Sequence, residues 1–217
     1  PRPVVLFTWD GWWNDVECTF LGPSTMFQRW NLQLRQNYGL LDPVHMPTAE
    51  RVQVLLLIRA ARANGGSHQS SRVFQNTAEL VSALRKVPGV DLVAVDLSTL
   101  PFEQQVRLVA NSSVLIGMHG AGIPASMHMP VGTKHCCGVI EIFPDGEFKS
   151  IRGYGNMARR MGHHYERIAL TGKDRRDQST NVPPQLIVQK LGVVLENIKT
   201  KPSCILPAVL DDPFFQK

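Results

Sequence analysis

The chain has 217 residues, 43% of them hydrophobic, and a formal net charge of +5. That length suits one domain of ordinary to large size, or one domain with a fragment of another. No apolar run reaches the ~18 residues needed to span a bilayer. The mild positive charge suits a phosphate-bearing ligand. Lys and Arg are scattered, and Arg159-Arg160 and Arg175-Arg176 are only doublets. Aromatics do not interleave with them, so no nucleic acid is expected as a partner.

The chain opens at Pro1 rather than at Met, which reads as a processed or trimmed piece. Val4 to Trp9 reads as a short strand, and Asp10 to Asp15 as an aromatic, acidic loop. Ser24 to Tyr38 reads as a helix, because Phe27, Trp30, Leu34 and Tyr38 recur at three- and four-residue steps. Gly39 and Pro43 end it. Asp42 to Ala49 reads as a linker.

Strands and helices alternate from there. Val52 to Ile58 is a strand and Asn64-Gly65-Gly66-Ser67 a loop. A helix capped by Asn76 or Thr77 runs to about Val87, where Pro88-Gly89 stops it. Asp91 to Leu97 is a strand. Pro101 to Asn111 is a helix, with Ser98 or Thr99 as its cap. Ser113 to Met118 is a strand that runs into a glycine-rich turn and the start of a helix. Gly138 to Phe143 is a strand, Gly155 to Met161 a helix and His164 to Leu170 a strand. Thr171 to Pro184 is a polar loop, Pro184 to Lys199 the last helix, and the tail after Pro202 is irregular. This order predicts an α/β fold: a Rossmann-like, doubly wound, mostly parallel sheet with helices on both faces.

The richest stretch is Val114-Leu-Ile-Gly-Met-His119-Gly120-Ala121-Gly122. A buried parallel strand ends in a histidine, and a tight turn follows. Ligands of open α/β sheets bind at the carboxyl ends of the strands. Unpaired N–H groups at a helix start suit phosphate, and glycines let the backbone approach it. His119 could bond a ligand, act as a general base, or simply bond backbone.

Arg59 follows the apolar strand at the same kind of edge, where a guanidinium could grip a diphosphate bidentately. Arg72 and Asn76 lie before the next helix. Glu141 interrupts the apolar strand Val139-Ile-Glu-Ile-Phe143, where a buried carboxylate needs hydrogen-bonding partners such as ribose or sugar hydroxyls. His163 and His164 read as structural or exposed. Asp10 and Asp15 do not make a D-x-D pair, and no metal site is assigned. Neither G-x-S-x-G nor G-x-G-x-x-G is present. Cys18, Cys136, Cys137 and Cys204 lack C-x-x-C spacing. Buried thiols and disulfides both remain open. Asn111-Ser112-Ser113 is an N-glycosylation sequon.

Taken in order, several segments resemble glycosyltransferase family 61. They are Leu55-Leu-Leu-Ile-Arg59, Arg72-Val-Phe-Gln-Asn76, Phe102-Glu-Gln-Gln-Val-Arg107, Val114 to Gly122, Val139-Ile-Glu141-Ile-Phe-Pro144 and the stretch from Tyr154 to Tyr165. The resemblance covers about residues 50 to 170. The His-Gly-Ala-Gly turn followed by the V-x-E-I-x-P strand is its most specific part.

The resemblance implies a GT-B architecture, of which this chain is mainly the C-terminal, donor-binding half. Residues 1–49 would then be a remnant of, or bridge to, an acceptor domain. Residues 50–200 would be the nucleotide-sugar-binding domain, and 201–217 a tail. It implies inverting transfer from a nucleotide sugar, commonly UDP-linked, to a hydroxyl of a glycan or glycoprotein acceptor in the ER or Golgi lumen. Arg59, Arg72, Asn76 and the Gly120-Ala121-Gly122 backbone would bind the donor. Glu141 would meet ribose or sugar, and His119 would be catalytic. A divalent metal is left open. Two departures are Pro124, where the family has a polar residue, and a longer link over Gly132 to Cys137. The alternatives are a catalytically silent subunit with a structural role in a larger assembly, and a nucleotide-binding regulator without transfer.

Overall fold

The computed structural model describes residues 23–40, 52–59, 73–120, 122–131, 137–144, 152–170 and 180–200. Helix α1 spans Thr25–Asn37. The α/β unit follows as β1 (Val52–Leu57), α2 (Thr77–Arg85), β2 (Val90–Val95), α3 (Phe102–Ala110), β3 (Val114–Met118), β4 (Gly138–Phe143), α4 (Gly153–Met161), β5 (His164–Ala169) and α5 (Pro184–Thr200). The expected strand Val4–Trp9, the loop Asp10–Asp15, the linker Asp42–Ala49, the loop Asn64–Ser67 and the tail after Pro202 lie outside the described residues. No helix among the described residues is long and apolar enough to cross a membrane.

The five strands form one sheet in the order β2-β1-β3-β4-β5, every neighbouring pair parallel. The sequence explains why. β1, β3 and β4 are short apolar runs, and nearly all their residues are buried. Strands buried on both faces read as continuous hydrophobic runs rather than alternations. Leu56, Ile116 and Ile140 pack on one face with Leu80 and Leu84 of α2 and Ile187, Leu191 and Val194 of α5. Leu55, Leu115 and Val139 pack on the other with Val109 of α3 and Ala158 of α4.

One local expectation is corrected. Ser98 and Thr99 do not cap α3. Asp96 instead caps a separate 3₁₀ turn, Leu97–Thr99, by accepting from the Ser98 N–H at 3.0 Å, and Pro101 takes the N-cap position of α3. The helix expected after β3 and its glycine turn is a six-residue 3₁₀ helix, Ile123–His128. A 3₁₀ segment that short has little summed dipole.

Helix α1 packs outside α4 and the 3₁₀ helix by an unexpected face. Its buried residues are Phe27, Gln28, Asn31 and Arg35, while Trp30 is exposed. Asn31 Nδ2 donates to the Met127 and Met129 carbonyls at 2.6 and 3.0 Å, and Gln28 Nε2 to Met161 O at 3.2 Å. Arg35 Nη2 donates to Leu40 O at 2.7 Å. Cys137 is a free, buried thiol that donates to Pro130 O at 3.2 Å. Burial pushes it up to about 12, against the pull of Arg35, so it stays a thiol and is chemically inert.

His163, between α4 and β5, is buried, and burial lowers it to about 4 from 6.5. The folded chain therefore refuses a proton that the unfolded chain accepts over that interval. Stability attributable to His163 is intact above pH 6.5 and lost as pH falls towards 4, by roughly 3 kcal/mol. Urea unfolding of the wild type and His163→Leu at pH 7 and pH 4 is expected to show the wild type losing that much more than the variant; equal losses would contradict it.

Candidate functional site

β1 and β3 are neighbours in the sheet, but the chain leaves them towards opposite faces, through α2 and through the 3₁₀ helix. Such a reversal opens a crevice at the carboxyl edge of a doubly wound sheet. Their register ends at Leu56–Ile116, whereas β1 stays paired with β2 to Leu57–Val95 and β3 with β4 to Met118–Ile142. The two central strands thus part just before their ends. Arg59 lies two residues past the end of β1 and His119 directly past the end of β3, at the same carboxyl edge of the sheet.

His119 prolongs β3, its N–H donating to Ile142 O at 2.7 Å. Gly120 follows with φ 152°, a conformation that side chains with a Cβ rarely adopt. The backbone therefore turns out of the sheet immediately after the histidine. Gly122 starts the 3₁₀ helix; a Cβ there would come 3.0 Å from Leu57.

The His119 ring is fixed on all sides. It stacks on Phe143 with centroids 4.7 Å apart and planes at 19°, and Tyr154 leans on it at 5.2 Å. Its Nδ1 lies 2.5 Å from Glu141 Oε1. Tyr165 Oη donates to the other carboxylate oxygen, Oε2, at 2.5 Å. Glu141 is 1% exposed, so these two bonds are what make its burial tolerable. Burial raises the Tyr165 phenol, and the charge of Glu141 and the hydrogen bond to it raise it further, outweighing Arg167 and Arg159. Tyr165 is a donor throughout the physiological range.

The sheet assembles this cluster by register. Glu141 pairs with Gly117 on one side and Arg167 on the other, and Tyr165 lies two residues before Arg167 on the same face. Arg167 places its guanidinium over Phe143 at 3.9 Å, and Arg159 of α4 lies over Tyr165 at 5.0 Å, both within cation–π range. Gly155 of α4 lets the helix sit on the Tyr165 ring.

Of the residues singled out in the sequence, Arg59 follows the end of β1, and His119, Gly120 and Gly122 follow the end of β3, at the carboxyl edge where the two strands part. Glu141 lies beneath it and contacts His119. Asn76 stands at the start of α2, where its amide holds the backbone of Val182 in both directions, donating at 2.8 Å and accepting at 3.1 Å. Arg72 and Ala121 lie outside the described residues. Among the described residues no three His, Cys, Asp or Glu gather to hold a metal ion. Sequence reasoning missed Phe143, Tyr154, Gly155, Tyr165 and Arg167 as parts of the site. The signal was there: Glu141 and Phe143 share a strand face, as do Tyr165 and Arg167.

A model of the family described as Glycosyltransferase 61 matches residues 24–136, a span that runs from α1 through the His119 turn. The chain belongs to glycosyltransferase family 61. It is 37% identical over 78 residues to the Homo sapiens protein O-linked-mannose beta-1,4-N-acetylglucosaminyltransferase 2, a match covering 36% of this chain and 13% of that protein. The Xenopus laevis protein of the same name is 35% identical over 80 residues, covering 37% and 13%. The Gallus gallus EGF domain-specific O-linked N-acetylglucosamine transferase is 31% identical over 121 residues, covering 55% and 20%. The matched stretch is thus a minor part of each relative.

A Cβ on Gly155 would come 2.8 Å from two atoms of the Tyr165 ring. Helix propensity alone favours Ala there by about 1 kcal/mol, whereas forcing a methyl into a packed contact costs about 1–3 kcal/mol. Gly155→Ala is therefore expected to lower stability in urea unfolding; an increase would mean that Tyr165 is not clamped by α4.

Proposed function

We propose that this chain is the nucleotide-sugar-binding half of an inverting glycosyltransferase of GT-B architecture. The donor is a UDP-sugar, and the acceptor is a hydroxyl of a glycan or glycoprotein in the secretory-pathway lumen. The observation that carries the reading is the parting of β1 and β3, with Arg59 on one lip and His119-Gly120 on the other, in a chain of this family. Both named relatives are N-acetylglucosaminyltransferases by description, one acting on O-linked mannose and the other on EGF domains.

In such a transfer the acceptor oxygen attacks the anomeric carbon in line, and the bond from that carbon to the diphosphate breaks. A base takes the acceptor proton, and the departing diphosphate gathers negative charge. Arg59 supplies a permanent positive charge and a planar fork that matches phosphate. The backbone N–H groups of Gly120 to Gly122 supply donors that need no side chain. Arg72 belongs to the same diphosphate grip. Support from a helix dipole is weaker than the sequence suggested, because the following helix is a short 3₁₀ segment. His119 stands where the ligand enters, held at a fixed angle.

Calorimetric titration with UDP tests the reading. The wild-type chain is expected to bind, and Arg59→Ala to bind roughly ten- to a hundredfold more weakly, the usual scale of a hydrogen bond to a charged group. Equal affinity would move the diphosphate away from Arg59. No binding at millimolar UDP would favour the silent structural subunit instead.

A further inference from the structure

We infer that Glu141 is a positioning residue for His119, anchored in turn by Tyr165, and that it fixes which ring nitrogen of His119 carries the hydrogen. The inference rests on reading His119 as part of the nucleotide-sugar site. A carboxylate only accepts hydrogen bonds, and each of its oxygens here has one defined neighbour. Tyr165 donates to Oε2. Oε1 therefore faces His119 Nδ1 as an acceptor, and the ring nitrogen is the donor between them. In the neutral ring this places the hydrogen on Nδ1 and the lone pair on Nε2.

The surroundings suit this task better than simple filling of space. Phe143 and Tyr154 set the plane of the ring, while Glu141 sets its rotation within that plane. Tyr165 keeps Glu141 from turning, and Gly155 admits the Tyr165 ring beneath α4. The carboxylate is too deeply buried to be reached by a sugar hydroxyl while both bonds stand. It acts on a ligand through His119, whose Nε2 then accepts a hydroxyl hydrogen rather than donating to phosphate.

The test removes the acceptor and, separately, its anchor. In Glu141→Leu nothing opposite Nδ1 can accept, and the neutral ring is free to carry its hydrogen on Nε2, the form an unconstrained imidazole favours. Tyr165→Phe keeps the carboxylate opposite Nδ1, and with it the Nδ1 form.

Long-range ¹H–¹⁵N spectra of the histidine-labelled full chain, recorded at rising pH until the ring signals are those of the neutral form, report the tautomer directly. His119 signals are assigned by their loss in His119→Gln. The expected series is Nδ1–H in the wild type, Nε2–H in Glu141→Leu and Nδ1–H in Tyr165→Phe. Nε2–H in the wild type, or no change in Glu141→Leu, would overturn the inference. A Glu141 that merely filled space would alter stability without this pattern. UDP titration of the same samples separates the two readings: the tautomer series without UDP binding keeps the positioning role and removes the nucleotide. UDP binding by a wild type with Nε2–H does the reverse.

Discussion

A carboxylate buried in the fourth strand of a parallel sheet must be held on both oxygens or the strand would not bury it. Glu141 meets that demand with His119 on one side and Tyr165 on the other. Much of the carboxyl edge of the sheet follows from this constraint. His119 cannot rotate away without leaving a buried charge unpaired, at a cost of several kcal/mol. Tyr165 must lie flat under α4, so Gly155 has no side chain. Phe143 continues the strand and becomes the platform for the imidazole on one hand and the Arg167 guanidinium on the other. The result is a rigid floor at the carboxyl edge of the sheet.

On the proposed reading, that arrangement divides the work of a phosphate site in a physically sensible way. Backbone N–H groups and Arg59 would offer charge and donors at the lip, where the ligand would arrive from water. The titratable groups lie one layer deeper, oriented by packing rather than by solvent. A glycine turn is needed between the two layers, because the chain must leave β3 at once if its amides are to face the crevice. The φ of Gly120 is that requirement expressed in the backbone.

Much of the fold was legible in the sequence. Apolar runs of four to seven residues separated by helical periodicity leave few alternatives to a parallel α/β sheet, and the strands fall within a residue or two of their expected limits. The buried face of α1 was not legible. Periodicity pointed to Phe27, Trp30, Leu34 and Tyr38, yet Gln28, Asn31 and Arg35 are the residues turned inward with Phe27. The amides of Gln28 and Asn31 satisfy carbonyls at the ends of other elements, and no local pattern announces a partner about a hundred residues away; Arg35 satisfies Leu40 O just past the end of its own helix. The type of the helix after β3 was not legible either: a Gly-rich start with Pro124 opens an α-helix and a 3₁₀ helix alike until its length is known. At the site, Glu141 stood out as a charge inside an apolar strand. Its partners did not, because the pairing of β4 with β5 had to be known before Tyr165 could be placed beside it.

The most direct test of the site as a whole is a crystal structure of this chain with UDP bound. The expected result is a diphosphate in the crevice between β1 and β3, within hydrogen-bonding distance of the Arg59 guanidinium and the Gly120 to Gly122 backbone, with His119 still bonded to Glu141. UDP seated elsewhere on the molecule, or a His119 ring swung away from Glu141 when the crevice fills, would contradict it.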